Sequence, residues 1–503
     1  MATRWVKVLD QTRCIGCHAC TTACKSENEV PIGVTRTYVK SVDIGTFPSV
    51  RRAFQVTRCN QCERAPCVTA CPTRAMYRRA DGIVDFDKRL CIGCKACIAA
   101  CPYDAIFINP EDLSAEKCNF CAHRLDIGLE PACVVVCPTE AISVGDLNDP
   151  GSKVARIVGG EQTQVRRPEV GTRPGVFYKG AGPATLEPLA ARRPDGGMYA
   201  WAVQPEHNPH QVVSGHRGGA GSSAAVLLSY DVAHQVPWGW RVSLYTWTKG
   251  IAAGSFLAMV LVIVAGRLSW NDPVARFGVP AVALAFLGVT GALLVSDLTH
   301  PSRFYLLFTR AQPRSWLVKG ALIVLAYGAA VSGYLAAAAV GSTFAQEILA
   351  GVAAALALGA ACYTAFLFAQ AKGRDLWQSR LLAPQLACQA VLAGSAFLLL
   401  VVFAFGPASP RKALELLVTG SAAVHLSLVL VETTRRHGGE HVRAAIGEMT
   451  RGRLAHWFWP GVAAVAVALA APLLGVVAVP FALGGLLAHE HAYVQAGQCV
   501  PLA

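Results

Sequence analysis

The opening residues, MATRWVKVLDQTRC, hold no apolar signal stretch, and no long apolar run occurs before about residue 242. Acidic residues are the minority, 32 Asp and Glu against 45 Lys and Arg, which leaves a formal net charge of +13. The excess forms no basic face interleaved with aromatics, so nucleic acid is not an expected partner. Cysteine is scarce beyond residue 140, where only Cys362, Cys388 and Cys499 occur, and these read as small buried or terminal residues, not ligands. Without a secretory signal, and with the remaining cysteines too close together to pair sensibly, a disulfide framework is not expected.

What is present is concentrated. Sixteen of the nineteen cysteines precede residue 140 and form four quartets: Cys14/Cys17/Cys20/Cys24, Cys59/Cys62/Cys67/Cys71, Cys91/Cys94/Cys97/Cys101 and Cys118/Cys121/Cys133/Cys137. The third, CIGCKACIAACP, has the bacterial ferredoxin spacing C-x2-C-x2-C-x3-C-P, in which three thiolates hold one cubane cluster and the fourth holds its neighbour. The second and fourth also end in Cys-Pro, at Cys71-Pro72 and Cys137-Pro138. Sixteen soft thiolates satisfy four [4Fe–4S] clusters with none left over. Zinc is the competing reading, because repeated CxxC pairs also build zinc ribbons, but those set two knuckles across a spacer, unlike the ferredoxin run.

The composition divides the chain at three levels. Residues 1–150 carry nearly balanced charge and short apolar runs, as expected of an α+β iron–sulfur domain. Residues 151–235, rich in Gly, Pro and Arg, read as a connector, although Phe177, Tyr178, Leu186 and Leu189 suggest that part of it lies along the first domain. Residues 236–503 hold long Ala/Leu/Val/Gly stretches separated by polar breaks.

A bilayer span needs about 20 apolar residues, and eight such runs are centred near residues 254, 288, 327, 358, 395, 423, 465 and 483, the last two joined around Pro472 to Gly475. An even number returns both termini to one side. Breaks 2/3, 4/5 and 6/7 hold Arg303, Arg310, Arg314, Lys319, Lys372, Arg374, Arg380, Arg435, Arg436, Arg443, Arg451 and Arg453; the others offer Arg267, Arg276, Arg411 and Lys412. The positive-inside rule then places the cluster domain in the cytoplasm of a bacterial inner membrane, as part of a multi-pass protein. Whichever side that is, the break between helices 2 and 3 faces the cluster domain.

The first 145 residues resemble the four-cluster subunit of the dimethyl sulfoxide, polysulfide and formate oxidoreductase complexes, on the strength of RWVKVLDQTRCIGCHACTTACKSEN, CNQCERAPCVTACP and CNFCAHRLDIGLEPACVVVCP. Residues 236–503 resemble the NrfD/PsrC-type eight-helix quinone-reactive anchor, through WGWRVSLYTWTKGIAAGSF, DLTHPSRF, PRSWLVKGA and AYVQAGQCVPLA. The two are separate chains in most relatives and fused here. The resemblance implies crossed ligand sets: Cys59, Cys62, Cys67 and Cys101; Cys91, Cys94, Cys97 and Cys71; Cys14, Cys17, Cys20 and Cys137; Cys118, Cys121, Cys133 and Cys24. Gly16 and Gly93 would let the loops pass close to sulfur.

Ionisable residues inside spans are functional candidates by default. Asp297 and His300, three apart at the end of helix 2, are the foremost candidates for a quinone site, with Tyr245 and Lys249 of helix 1. The competing expectations are an Asp297–Arg303 pair that merely stitches the bundle, an interfacial belt role for Tyr245 and Trp247, and a snorkelling Lys249. His425 reads as a buried polar partner, and His489, Glu490 and His491 as a second region to search. A haem held by His425 with His489 or His491 is a minor alternative. The expected function is electron relay between a molybdenum or tungsten bis-pterin catalytic subunit and the quinone pool, menaquinone or ubiquinone, within membrane lipid. A redox-driven proton-translocating module using Lys249, Asp297, His425 and Glu432, and a passive anchor without a quinone site, are the alternatives.

Overall fold

The computed structural model describes residues 3–192, 225–435 and 437–503; Arg436 and the 193–224 part of the expected connector lie outside these. The cluster domain is α+β. Its main sheet runs in the order Ile142–Asp146, Trp5–Asp10, Val176–Lys179, Thr163–Gln164. Trp5–Asp10 pairs antiparallel with Ile142–Asp146 and parallel with Val176–Lys179. The strand is buried on both faces, as parallel pairing demands: Val6 and Val8 pack on Val154 of the helix Lys153–Gly160, and Leu9 packs on Cys20, Val176 and Tyr178.

The segment expected as a connector therefore contributes structure. Its Val176 and Tyr178 are fully buried, and Val226–Tyr230 adds an antiparallel edge to Thr37–Ile44, which pairs in turn with Arg51–Arg58. The Gly/Pro content that marks this stretch as irregular reflects its turns, while the few apolar residues between them supply the strands. Two short hairpins, Met76–Arg78 with Val84–Phe86 and Ile106–Ile108 with Ala115–Lys117, complete the domain.

The bundle begins at Trp240. Its helices are α1 (Trp240–Val264), α2 (Val279–Ser296), α3 (Trp316–Ala339), α4 (Thr343–Ala369), α5 (Leu382–Phe405), α6 (Arg411–Thr434), α7 (Ala455–Ala468) and α8 (Ala478–Cys499). Among the described residues, seven helices are long and apolar enough to cross a membrane; α7, with 14 residues, is shorter, at about 1.5 Å per residue too short for a hydrocarbon core of about 30 Å. It packs along α8, from which a short break at 469–477 separates it.

Lipid offers no hydrophobic drive for helices to associate, so close packing must hold the bundle. Where α1 crosses α5, a Cβ on Gly254 would collide with the backbone of Ala390, and one on Gly394 with the backbone of Gly254. Gly254→Val is expected to lower unfolding free energy in detergent by about 1–3 kcal/mol or more. Gly288→Ala, where an added Cβ meets nothing within 4 Å, is the comparison, and equal stability of the two variants would refute a backbone-contact role for Gly254.

Candidate functional site

The structure gathers the sixteen thiols into four neighbourhoods that cross the sequence quartets. Cys14, Cys17, Cys20 and Cys137 line one small cavity. Cys71, Cys91, Cys94 and Cys97 line another. Cys59, Cys62, Cys67 and Cys101 are close enough to feel one another's charge, and so are Cys24, Cys118, Cys121 and Cys133. Among the described residues, no three His, Cys, Asp or Glu gather tightly enough to share one metal ion. Thiolates around one zinc would lie within about 4 Å of each other, given Zn–S bonds of about 2.3 Å, so these cages suit a group with volume of its own.

The walls supply what sulfur needs. Backbone amides donate to three thiols, Met76 to Cys71 at 3.4 Å, Ala115 to Cys91 at 3.4 Å and Ala141 to Cys137 at 3.2 Å. Burial pushes the Cys20 thiol up to about 11 and Cys24 and Cys101 up to about 12, so ionisation there calls for positive charge nearby. At Cys133 burial also pushes upward, but Lys7 and Arg58 overcome it and hold the thiol at about 7. Their nitrogens stand 3.5 and 3.1 Å from its sulfur. These buried cations carry no sequence signal of their role, although Lys7 stands in RWVKVLDQTRC: strand alternation does not show which way a lysine on a doubly buried strand points.

The Cys71/Cys91/Cys94/Cys97 neighbourhood is the one that meets the bundle. α2 ends at Ser296, and the chain to Ser315 wraps around the loop that carries Cys91 and Cys94. His300 N donates to Ile92 O at 3.2 Å, Gln312 N to Pro72 O at 2.9 Å, and Ser315 Oγ to Ala70 O at 2.8 Å. Arg303 donates to the carbonyls of Lys88 and Cys91, at 2.9 and 3.1 Å, so the expected Asp297–Arg303 pair does not form. Asp297 instead meets Lys95 Nζ at 3.4 Å. Burial raises the Asp297 carboxyl above its ordinary value, with Lys95 and Arg241 opposing.

Beneath this seam lies an apolar cavity of about 380 Å3, entered by Ile92 and Cys94 from the cluster domain and by Trp238, Arg241, Tyr245, Asp297 and Tyr363 from the membrane domain. The Tyr245 hydroxyl is buried without a hydrogen-bond partner among the described residues. Of the four candidates, Tyr245 and Asp297 thus line one cavity, while His300 and Lys249 do not. His300 turns away because the helix stops before it, and its Nε2 sits 3.3 Å from Ser114 Oγ in the seam. Lys249 does not snorkel: it is 1% exposed, bonds Thr364 Oγ1 and Ala361 O, and sits 4.2 Å from the centre of the Tyr363 ring. Deeper still, His425 and His489 lie edge to face with ring centres 4.8 Å apart. That contact leaves no space between the rings for a haem iron with two bonds of about 2 Å to nitrogen.

Residues 229–484, just over half of the chain, match the family described as polysulphide reductase, NrfD. The chain belongs to that NrfD family. Residues 50–147 match the 4Fe-4S dicluster domain, so this NrfD-family chain is a fusion, an iron–sulfur electron-transfer subunit continued into its own membrane anchor. It is 43% identical over 193 residues to a subunit of the tetrathionate reductase of Salmonella typhimurium, an alignment that covers 38% of this chain and 77% of the relative. A component of the polysulfide reductase of Wolinella succinogenes is 44% identical over 180 residues, 35% of this chain and 94% of the relative. A subunit of the selenate reductase of Mesobacillus selenatarsenatis is 38% identical over 208 residues, 35% of this chain and 71% of the relative.

The seam is tightest at Gly93, whose φ of +71° favours glycine and where a Cβ would occupy the space of Thr299. Gly93→Ala is expected to destabilise the docked protein by about 1–2 kcal/mol from backbone strain alone, with a further steric share, read as earlier proteolysis in the 297–315 loop. Thr299→Ala in the same background should return the steric share only. Unchanged proteolysis in Gly93→Ala would show that this contact does not hold the seam.

Proposed function

We propose that the protein carries electrons between a catalytic partner and the membrane quinone pool, and that hydroquinone or quinone reacts in the cavity shared by Cys94, Tyr245 and Asp297. The single observation behind this reading is that a cysteine of the cluster domain and two polar residues of the bundle line the same apolar cavity. We assign four [4Fe–4S] clusters to the four thiol neighbourhoods, sixteen cysteines in all. When bound, such clusters supply one-electron transfer centres in series.

The remaining work falls to side chains. Apolar walls from α2, α3 and α4 accept a ring and exclude water. The unpartnered Tyr245 hydroxyl donates a hydrogen bond to a ring oxygen, and Asp297 exchanges a proton with it. Lys7 and Arg58 balance negative charge at Cys133. Subunits of tetrathionate, polysulfide and selenate reductases among the relatives support a catalytic partner on another chain, for which we infer a molybdenum or tungsten bis-pterin protein. The arginine-rich breaks 2/3, 4/5 and 6/7 gather at the cluster-domain end, where Arg303 and Arg374 bond backbone carbonyls; by the positive-inside rule that end faces the cytoplasm.

Ion translocation draws no comparable support. Lys249, His425, His489 and Glu490 each lie about ten residues from the cluster-facing helix ends, roughly 15 Å into the bundle. From there to the opposite ends of the described helices no further ionisable Asp, Glu, Lys, Arg or His intervenes until Arg276, Glu347 and Glu415.

Protein purified without oxygen should carry about sixteen iron and sixteen sulfide per chain; stoichiometric zinc in their place would overturn the cluster assignment. Menadiol should reduce the clusters of the intact chain in detergent, and Tyr245→Phe should slow this by about tenfold, about 1.4 kcal/mol of transition-state stabilisation. Wild-type rates in Tyr245→Phe at full iron content would move the site elsewhere.

A further inference from the structure

The cavity needs a route for protons as well as electrons. Oxidation of a hydroquinone breaks two O–H bonds and releases two protons and two electrons, which one-electron clusters held by the thiols on the Cys94 side would take up one at a time. The protons cannot leave through lipid or apolar walls. Of the polar contacts that cross the seam, one engages a carboxylate that lines the cavity: Lys95, between Cys94 and Cys97, holds Asp297 through its carbonyl at 3.2 Å and its carboxylate at 3.4 and 3.5 Å. Asp297 lines the membrane cavity. Lys95 lines a different, more open cavity of about 540 Å3 on the cluster-domain side, with Thr299, Asp104 and His234.

We propose that the Lys95–Asp297 contact is the point at which the membrane cavity exchanges protons with water on the cluster-domain side, with Lys95 a positioning residue lent to the membrane site by the iron–sulfur domain. The proposal rests on the quinone reading above. In the oxidation direction the Asp297 carboxylate takes each proton from the ring hydroxyl and passes it to water in the outer cavity; in the reduction direction the order reverses. Lys95 aims the carboxylate and keeps it ionised between transfers. The other groups facing Asp297 are Arg241, whose charge also favours the ionised carboxylate, and Tyr245 across the cavity. Arg303 and His300, nearest along the chain, are committed to Lys88, Cys91 and Ser114.

The test uses the intact chain with menadiol as probe, rates being referred to iron content. Removing the Lys95 charge raises the Asp297 carboxyl pKa. Lys95→Gln should therefore shift the acidic limb of hydroquinone oxidation to higher pH by about one unit and slow the reaction at least about tenfold below it. Lys95→Arg should restore the limb. Asp297→Asn should remove the limb, and the double variant should be no slower than Asp297→Asn alone. Independently of turnover, the infrared band of the protonated carboxyl should persist to higher pH in Lys95→Gln and vanish in Asp297→Asn. Wild-type pH profiles and rates in both single variants, with menadiol still reducing the clusters, would overturn this proposal and leave the quinone reading standing. Failure of menadiol to reduce wild-type clusters would overturn the quinone reading itself, while the infrared titration would still report whether Lys95 governs Asp297. Should Lys95→Gln lose iron, the Asp297→Asn and Lys95→Arg results decide.

Discussion

Everything in this protein depends on how the loop from Lys88 to Cys97 is seated in the loop from Asp297 to Ser315. A water-facing α+β domain and an apolar bundle have no common core, and in lipid an unpaired backbone group is expensive. The seam is closed on main-chain carbonyls of the cluster domain: the amide of His300 donates to Ile92 and that of Gln312 to Pro72, and the Arg303 guanidinium donates to Lys88 and Cys91. Because these bonds involve the peptide units next to the cysteines, the sulfur of Cys94 is fixed against the bundle with little play. The membrane cavity exists because α2 stops at Ser296 and leaves the seam to close it.

The bundle shows the other side of the same constraint. Three of its buried ionisable groups find partners on neighbouring helices: Lys249 on Thr364 and Ala361, Glu490 on Thr246 at 2.7 Å, His489 on Gln385 at 3.1 Å. They gather in the half nearest the cluster domain, where polar loops and the seam lie. The half farther away is packed by apolar and aromatic residues such as Phe256 and Tyr334. That asymmetry separates a site fed from one side from a pathway that spans the bilayer.

Fusion of the two domains is also written into the fold. Val176–Lys179 completes the main sheet and Val226–Tyr230 the second, so the chain between the domains is anchored to the first before it enters the membrane. Arg167 then bonds Gly373 O at 3.1 Å and Asp375 at 3.2 Å in the break between α4 and α5, a second tie between the domains.

The sequence by itself determined the chemistry of the cluster domain and the class of the membrane half. Thiol spacing such as CIGCKACIAACP is a local property that leaves few structural alternatives, and apolar runs of span length declare themselves through the cost of exposing them to water. Only the tertiary structure decided which residues meet. Asp297 and His300 are three apart in sequence, yet the helix ends before them, so one lines the cavity and the other enters the seam. Lys249 carries a charge that suggested snorkelling, but threonine and carbonyl partners on α4 hold it inside. Lys95 stands among cysteines with no local signal, and reaches Asp297 across a separation of 202 residues. Contacts of that span depend on how two surfaces dock, and no periodicity or spacing within either segment encodes them.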